Sequence, residues 1–458
     1  KKEAWVKAKN YSDQVDMRIL SNHVRETEVG TPKFVKSMPE PNKLDFVFPK
    51  PDKDFELENG LRVVICKNGD WPVLSMNCRF RDSTFLQSSK DSDLITLMMS
   101  LLIEGSEGYS KDDNIKFFEN FGASCSFFGG GNLSILSDDS QPLFERFFHV
   151  LTKPSFPADA LEKFKNISVD ELLRSKDEPM VVAFRLLINL IYKEGHPYHW
   201  EFDEAIELIK TIGVEKLKEF HKKYVNPKNM ILTVVGNFDL DQMEKTVKNV
   251  FGNWAEGEFV TNEFTKVEFE ANQTADEHML RDQVALMLGQ PNDVNIYNPD
   301  ATALKLLNTI CFESMGSRLW QLREQSGLFY MAFGSIAGPI ARVDGFDFVC
   351  ALLSPDKTEQ TRQSIINLIN EFARDGIKQE ELDYARQQFL KRLIDFTSNN
   401  ASLSGLLNTI TSFDFGFDYY DKVLKEAQDL TVDKLNEVAK KYFTTEKLAT
   451  VRVGRIED

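Results

Sequence analysis

At 458 residues the chain is long enough for two or three domains, well above the size at which a hydrophobic core is hard to build. With 42% hydrophobic and 28% charged residues it has the composition of a soluble globular protein. Its longest apolar runs, such as 94–103, stop short of the ~20 residues that span a bilayer. A formal net charge of −16 repels phosphates, which argues against nucleic acid and fits a solvated acidic surface.

The first 54 residues are expected to be a linker or extension. A helical pattern to about Val24 gives way to Pro32, Pro39, Pro41, Pro49 and Pro51, a density that favours an extended spacer. The chain opens at Lys1 without a methionine or a signal-peptide pattern, which predicts a processed chain or a piece of a longer one. Strand signals begin over 55–65, where Asn59-Gly60 sets a hairpin turn. Helical periodicity follows over 92–102, 111–121, 141–151, 158–175 and 182–192, with a strand pair inside 124–137 around Gly129-Gly130-Gly131. After an acidic, irregular stretch at 255–277, strands are predicted near 284–288 and 346–352, and helices over 299–311, 357–374 and 379–396. Residues 317–330 read as a helix with Arg323 in its last turn, a stop at Gly327, and a strand from Leu328 that carries Tyr330. One cation and one phenol can thus converge across a tight corner, although by spacing alone such residues are usually a cation complementing a helix dipole and a tyrosine packed in a core.

The segment 214–236 returns at 432–454 without a gap, a shift of 218 positions. Lys216/Lys434, Leu217/Leu435, Lys222/Lys440, Lys223/Lys441, Tyr224/Tyr442 and Gly236/Gly454 are among the identical pairs. Each copy reads as an amphipathic helix, a turn and an apolar strand ending in glycine. Two homologous domains are therefore expected, at 55–256 and 257–458. Each is of α+β class, an antiparallel-rich sheet with helices layered on one face.

Cys66, Cys78, Cys125, Cys311 and Cys350 are scattered and form no CxxC pair, so neither a thiolate zinc site nor a disulfide framework is implied. His196 and His199 are separated by two residues in a predicted loop, and His23, His149, His221 and His278 stand alone. No G-x-S-x-G elbow or phosphate-binding loop occurs.

A series of ordered motifs carries a family resemblance. It includes Asn59-Gly60-Leu61-Arg62-Val63, Leu102-Ile103-Glu104-Gly105-Ser106, Gly122-Ala123 and Pro154-Ser155-Phe156. Further on come Glu171 with Asp177-Glu178-Pro179, His196-Pro197-Tyr198, Asn229-Met230, and Ser317-Arg318-Leu319 with Leu322-Arg323-Glu324 and Gly327-Leu328-Phe329-Tyr330. From about Phe55 to Gly454 the chain resembles the pitrilysin/insulinase (inverzincin) zinc metallopeptidases, whose relatives include the mitochondrial processing peptidase and the core subunits of the bc1 complex.

The resemblance implies an H-x-x-E-H zinc motif, and the corresponding positions, counted back from Gly105-Ser106, are Thr96, Met99 and Ser100. Hydroxyls and a thioether are poor zinc ligands, and none of the three can act as general base. Glu171 matches the third ligand, now expected as a helix-surface charge. The Arg323/Tyr330 pair keeps the family's seven-residue separation, which implies Tyr330 as an oxyanion donor and Arg323 as a substrate-binding cation, both acting across a closed chamber on a zinc site in another half or subunit.

The expectation is a non-catalytic, substrate-binding half of a zinc metalloendopeptidase, inactive on its own. It would be a C-terminal half, toward which the proline-rich opening tilts, or a separate subunit. No cofactor is expected in this chain, and zinc is expected in a homologous partner. Peptide or unfolded polypeptide would be the substrate, with neither nucleic acid nor a membrane span involved. The alternative is a structural or assembly subunit of the same fold.

Overall fold

A computed structural model describes residues 45–81, 89–196, 198–261, 267–338 and 342–456. The helical pattern to Val24, Pro32, Pro39 and Pro41 lie outside the described residues. Phe46–Asp458 form one compact unit.

The first half runs β1 (Lys53–Glu56), β2 (Arg62–Lys67), β3 (Val73–Phe80), α1 (Ser89–Leu101), β4 (Gly105–Ser106), β5 (Tyr109–Ser110), α2 (Lys111–Asn120), β6 (Ser124–Ser126) and β7 (Gly131–Leu136). It continues with α3 (Ser140–Thr152), α4 (Ala158–Ser175), α5 (Pro179–Ile191), α6 (Phe202–Thr211), α7 (Val214–Tyr224), β8 (Met230–Gly236) and α8 (Leu240–Phe251). The second half runs β9 (Thr274–His278), β10 (Val284–Pro291), α9 (Ala301–Asn308), α10 (Arg318–Ser326), β11 (Phe329–Ser335) and β12 (Phe346–Leu353). Then come α11 (Thr358–Asp375), α12 (Gln379–Asp395), α13 (Asn400–Ser412), α14 (Tyr419–Asp429), α15 (Val432–Tyr442) and β13 (Ala449–Gly454).

The fold is α+β. Sheet 1 has the order β1-β2-β8-β3-β7-β6, and sheet 2 has the order β11-β12-β10-β13-β9. Read from opposite ends, the two orders coincide once β1 is set aside. In each sheet the last strand of the repeat, β8 or β13, lies between a parallel neighbour (β2 or β9) and an antiparallel one (β3 or β10). Gly236 and Gly454 end these two strands where a Cβ would fall 2.4 Å from the Val73 carbonyl and 2.3 Å from that of Gln283, so the same close approach recurs in both copies. Lys223 and Lys441 likewise donate to the hydroxyls of Tyr224 and Tyr442, at 3.1 and 2.7 Å.

Residues 46–54, which the prolines place in a linker, instead belong to the compact unit. The Phe48 N–H donates to Asp421 at 2.9 Å, its ring lies 5.6 Å from that of Tyr420, and Lys50 pairs with Asp421 at 3.3 Å. β1 then pairs antiparallel with β2. Proline density registers the extended backbone but not the aromatic anchor that docks it on α14.

Each half layers its own helices on one face of its sheet, and a helix of the other half covers the second face. On β3, Leu74, Met76, Cys78 and Phe80 enter the core built with α1, α3 and α8 of the same half. Alternation sends Ser75 and Asn77 to the opposite face, where they are also buried. That face is closed by α13 of the second half. Asn77 Nδ2 donates to Ser404 Oγ, Asn408 Nδ2 to the Ile231 carbonyl at 3.3 Å, and Asn400 Nδ2 to that of Val73 at 3.2 Å. The reciprocal contact is apolar: Val182, Ala183, Leu187 and Ile191 of α5 pack on Ala285, Met287, Val451 and Val453 of sheet 2. Leu187 fits because position 289 is glycine; a Cβ there would lie 2.5 Å from its Cδ2. Arg185 fastens the helix through Glu201 at 2.6 Å and Glu277 of β9 at 2.9 Å.

Because each half closes the other's sheet, the compact unit should unfold in one transition. Leu187→Ala should lower its unfolding free energy by ~2–5 kcal/mol, the usual range for emptying a fully buried leucine site. Urea denaturation followed by circular dichroism and by fluorescence measures both.

Candidate functional site

The corner between α10 and β11 is built by local rules. Ser317 caps α10, accepting from the Trp320 N–H at 3.3 Å. Arg318, beneath the helix, donates to both Glu381 oxygens at 2.8 Å and to the Gly376 carbonyl at 2.6 Å, which anchors the helix to α12. Gly327 ends it in the left-handed conformation, φ 60°, with its N–H on the Arg323 carbonyl at 2.9 Å. Lys357 Nζ holds the Gly327 carbonyl at 2.8 Å.

The chain then enters β11, an edge strand. Phe329 pairs with Leu353 and Met331 with Leu352, so Tyr330 is the extra residue of a β-bulge. Its side chain is 67% exposed. The sequence placed Arg323 and Tyr330 on facing sides of a tight corner, and they do meet, by a contact the spacing did not reveal. Arg323 Nε donates to the backbone carbonyl of Tyr330 at 2.6 Å, Nη1 pairs with Glu324 at 2.5 Å, and the guanidinium lies 4.6 Å from the centre of the Trp320 ring. Arg323 thus fixes the bulge from behind while the phenol stands free in front. No alternation pattern announces a bulge, so this part of the site was not legible beforehand.

The positions of the zinc motif lie on α1. Met99, only 2% exposed, is part of the first core. Thr96 is exposed, and its carbonyl accepts the Ser100 hydroxyl at 2.8 Å. Glu171 is exposed on α4, which packs beside α1. Among the described residues no group of three His, Cys, Asp or Glu side chains could hold a metal ion. A thioether committed to a core and a hydroxyl turned back on its own helix do not fit zinc.

His196, His199 and His221 hold local structure. His196 Nδ1 accepts from the Tyr198 N–H at 3.0 Å, and its ring stacks on Tyr192 at 4.5 Å. His199 Nδ1 lies 2.9 Å from the Tyr192 carbonyl. His221 Nε2 donates to the Leu151 carbonyl at 2.8 Å, and burial pushes its pKa down to about 4, only partly opposed by that bond.

Comparison with known proteins agrees with this geometry. Residues 211–389 match the family model described as the peptidase M16 inactive domain. That segment is therefore similar to an M16 inactive domain. A protein of Rickettsia bellii described as an uncharacterized zinc protease is 21% identical over 344 residues, 74% of this chain and 82% of that one. The M16 inactive domain from Pseudomonas fluorescens superimposes with a TM-score of 0.78 at 22% identity, covering 88% of this chain and 98% of that one. The periplasmic protease PqqL from Escherichia coli gives 0.63 at 14% identity, with 89% of this chain covering 48% of that one. At these identities the structural likeness establishes the fold, that of M16 inactive domains, and it agrees with the resemblance read from the motifs.

Two measurements follow. Since folding holds the His221 ring neutral below its ordinary pKa of 6.5, its stabilising contribution is present above that pH and is lost as pH falls toward 4. The loss is roughly 3 kcal/mol. His221→Gln keeps an N–H donor without the titration, so its unfolding free energy relative to wild type should rise by about that amount between pH 7 and pH 4. Elemental analysis of the purified chain, before and after loading with zinc, should find far less than one zinc per chain. One tightly held ion would place a metal site elsewhere.

Proposed function

We propose that this chain is the non-catalytic, substrate-binding half or subunit of a zinc metalloendopeptidase, paired with a zinc-bearing homologous half or subunit and acting on peptides or unfolded polypeptide in a closed chamber. The observation that carries the reading is Tyr330, a tyrosine set out from an edge strand by a bulge whose backbone is clamped by Arg323. The likeness to about half the length of a two-half protease supports the pairing.

In this reading the phenol donates a hydrogen bond to the scissile carbonyl oxygen as negative charge develops there, and its fixed position means that little reorganisation is needed. Arg323 has two tasks. Its Nε positions the tyrosine, and Nη2, which has no hydrogen bond among the described residues, is left for a substrate carbonyl or carboxylate.

In the assembled enzyme, Tyr330→Phe keeps the ring and the bulge and should lower kcat by ~10²–10³-fold with folding intact. Arg323→Ala should raise KM and also reduce kcat, since the clamp on the Tyr330 carbonyl is lost along with the substrate contact. Normal turnover by fully assembled Tyr330→Phe would remove the catalytic contribution of this chain and favour a scaffold role.

A further inference from the structure

At the other end of sheet 2, α5 leaves the strands and the chain turns toward α6. This loop of the first half meets the end of β10, the start of β12 and the segment after α15, and together they enclose a cavity of about 820 Å³. The start of β12 lines it, whereas Tyr330 is held near the end of that strand. Eight residues of strand put the two sites roughly 20 Å apart.

One wall of the cavity is Tyr192, 2% exposed, its ring stacked on His196 and edge-on to Tyr198 at 5.1 Å. Its hydroxyl is buried with no hydrogen-bond partner, the only such atom among the described lining residues. A buried phenol ordinarily finds a partner, so this one is available to a ligand.

The rest of the lining is rigid and acidic. The buried Asp347 carboxylate accepts from Gln290 at 2.9 Å, Asn292 at 2.8 Å and the Ala337 N–H at 2.7 Å, a network that ties the two strand ends together. Around it the cations are already engaged: Arg342 with Asp414 at 3.0 Å and Lys441 with Asp300 at 3.1 Å. Asp293 and Glu446 have no ion pair among the described residues, and Asp344 has only an amide partner, Asn295 at 3.1 Å. Among the described lining residues Lys447 is the one Lys or Arg without an ion pair, so the local field is negative. The same lining supplies no three-ligand group for a metal ion, which leaves an organic cation.

We propose that this cavity, framed by Tyr192, Asp293 and Asp344, binds the guanidinium of an arginine side chain in a peptide. The planar fork donates to the rim carboxylates and to the Tyr192 hydroxyl oxygen, which accepts at the wall. The site uses neither Arg323 nor Tyr330, so it stands or falls separately from the catalytic reading.

The test uses the whole chain alone, with N-acetyl-arginine methylamide as probe and the citrulline analogue, a neutral isostere, as control. Titration calorimetry or nuclear magnetic resonance should detect the arginine probe and not the citrulline one. Binding should weaken at least tenfold in Tyr192→Phe, which removes an atom that bonds to nothing else in the chain. A similar loss is expected in Asp293→Asn/Asp344→Asn, at exposed positions that leave the fold intact. Absence of binding at millimolar probe, equal binding of the two probes, or full affinity in the double variant would each overturn the proposal.

Discussion

The reciprocal crossing of α5 and α13 is the constraint on which the rest of the molecule depends. A sheet with one bare apolar face exposes a large water-accessible area, and each half of this chain relieves that exposure in the other. The consequence is visible in β8, where all seven residues are buried, and in β10, buried along all but its last position. The two contacts differ in chemistry. α5 meets sheet 2 through Leu187 and Ile191 against alanine, methionine and valine, whereas α13 meets sheet 1 through asparagine and serine side chains that satisfy Asn77 and two backbone carbonyls. A polar interface of this kind fixes register, because each donor is satisfied at only one position.

The corner between α10 and β11 is built on that frame. Sheet 2 packs against α5, and β11 sits at its edge. From there the order of causes is local: a serine cap, an arginine anchored on Glu381, a left-handed glycine, and a bulge that turns one phenol outward. Leaving a tyrosine side chain exposed contributes nothing to stability, whereas the bond from Arg323 to the Tyr330 carbonyl holds that conformation at an otherwise frayed strand end.

Helix α1 shows the opposite choice. Its motif positions have been drawn into structural work, Met99 into the core and Ser100 onto its own helix, so the helix that resembles a zinc-binding element now serves as a wall of the first core.

The sequence alone was sufficient for what depends on short-range pattern. Helical and strand periodicity located most elements but passed over β3, β9, α6, α8, α13 and α14, the 218-residue repeat implied two copies of one domain, and Gly327 after Arg323 marked the corner, because these signals are written in short stretches of chain. The proline-rich opening misled over residues 46–54, where one aromatic, Phe48, outweighs backbone preference by docking on Tyr420. What only the tertiary structure decided is non-local. No periodicity in 179–191 says that its apolar face covers Ala285 and Val451 of the other half, since a stripe of leucine and valine fits any apolar surface of the right shape. The bulge at Tyr330 depends on the register of β11 against β12, and Tyr192 comes to line one cavity with Asp293 and Asp344, about a hundred residues or more away, only after α5 has crossed. Side-chain chemistry was legible in advance, but which groups share a wall was set by how two copies of one fold close over each other.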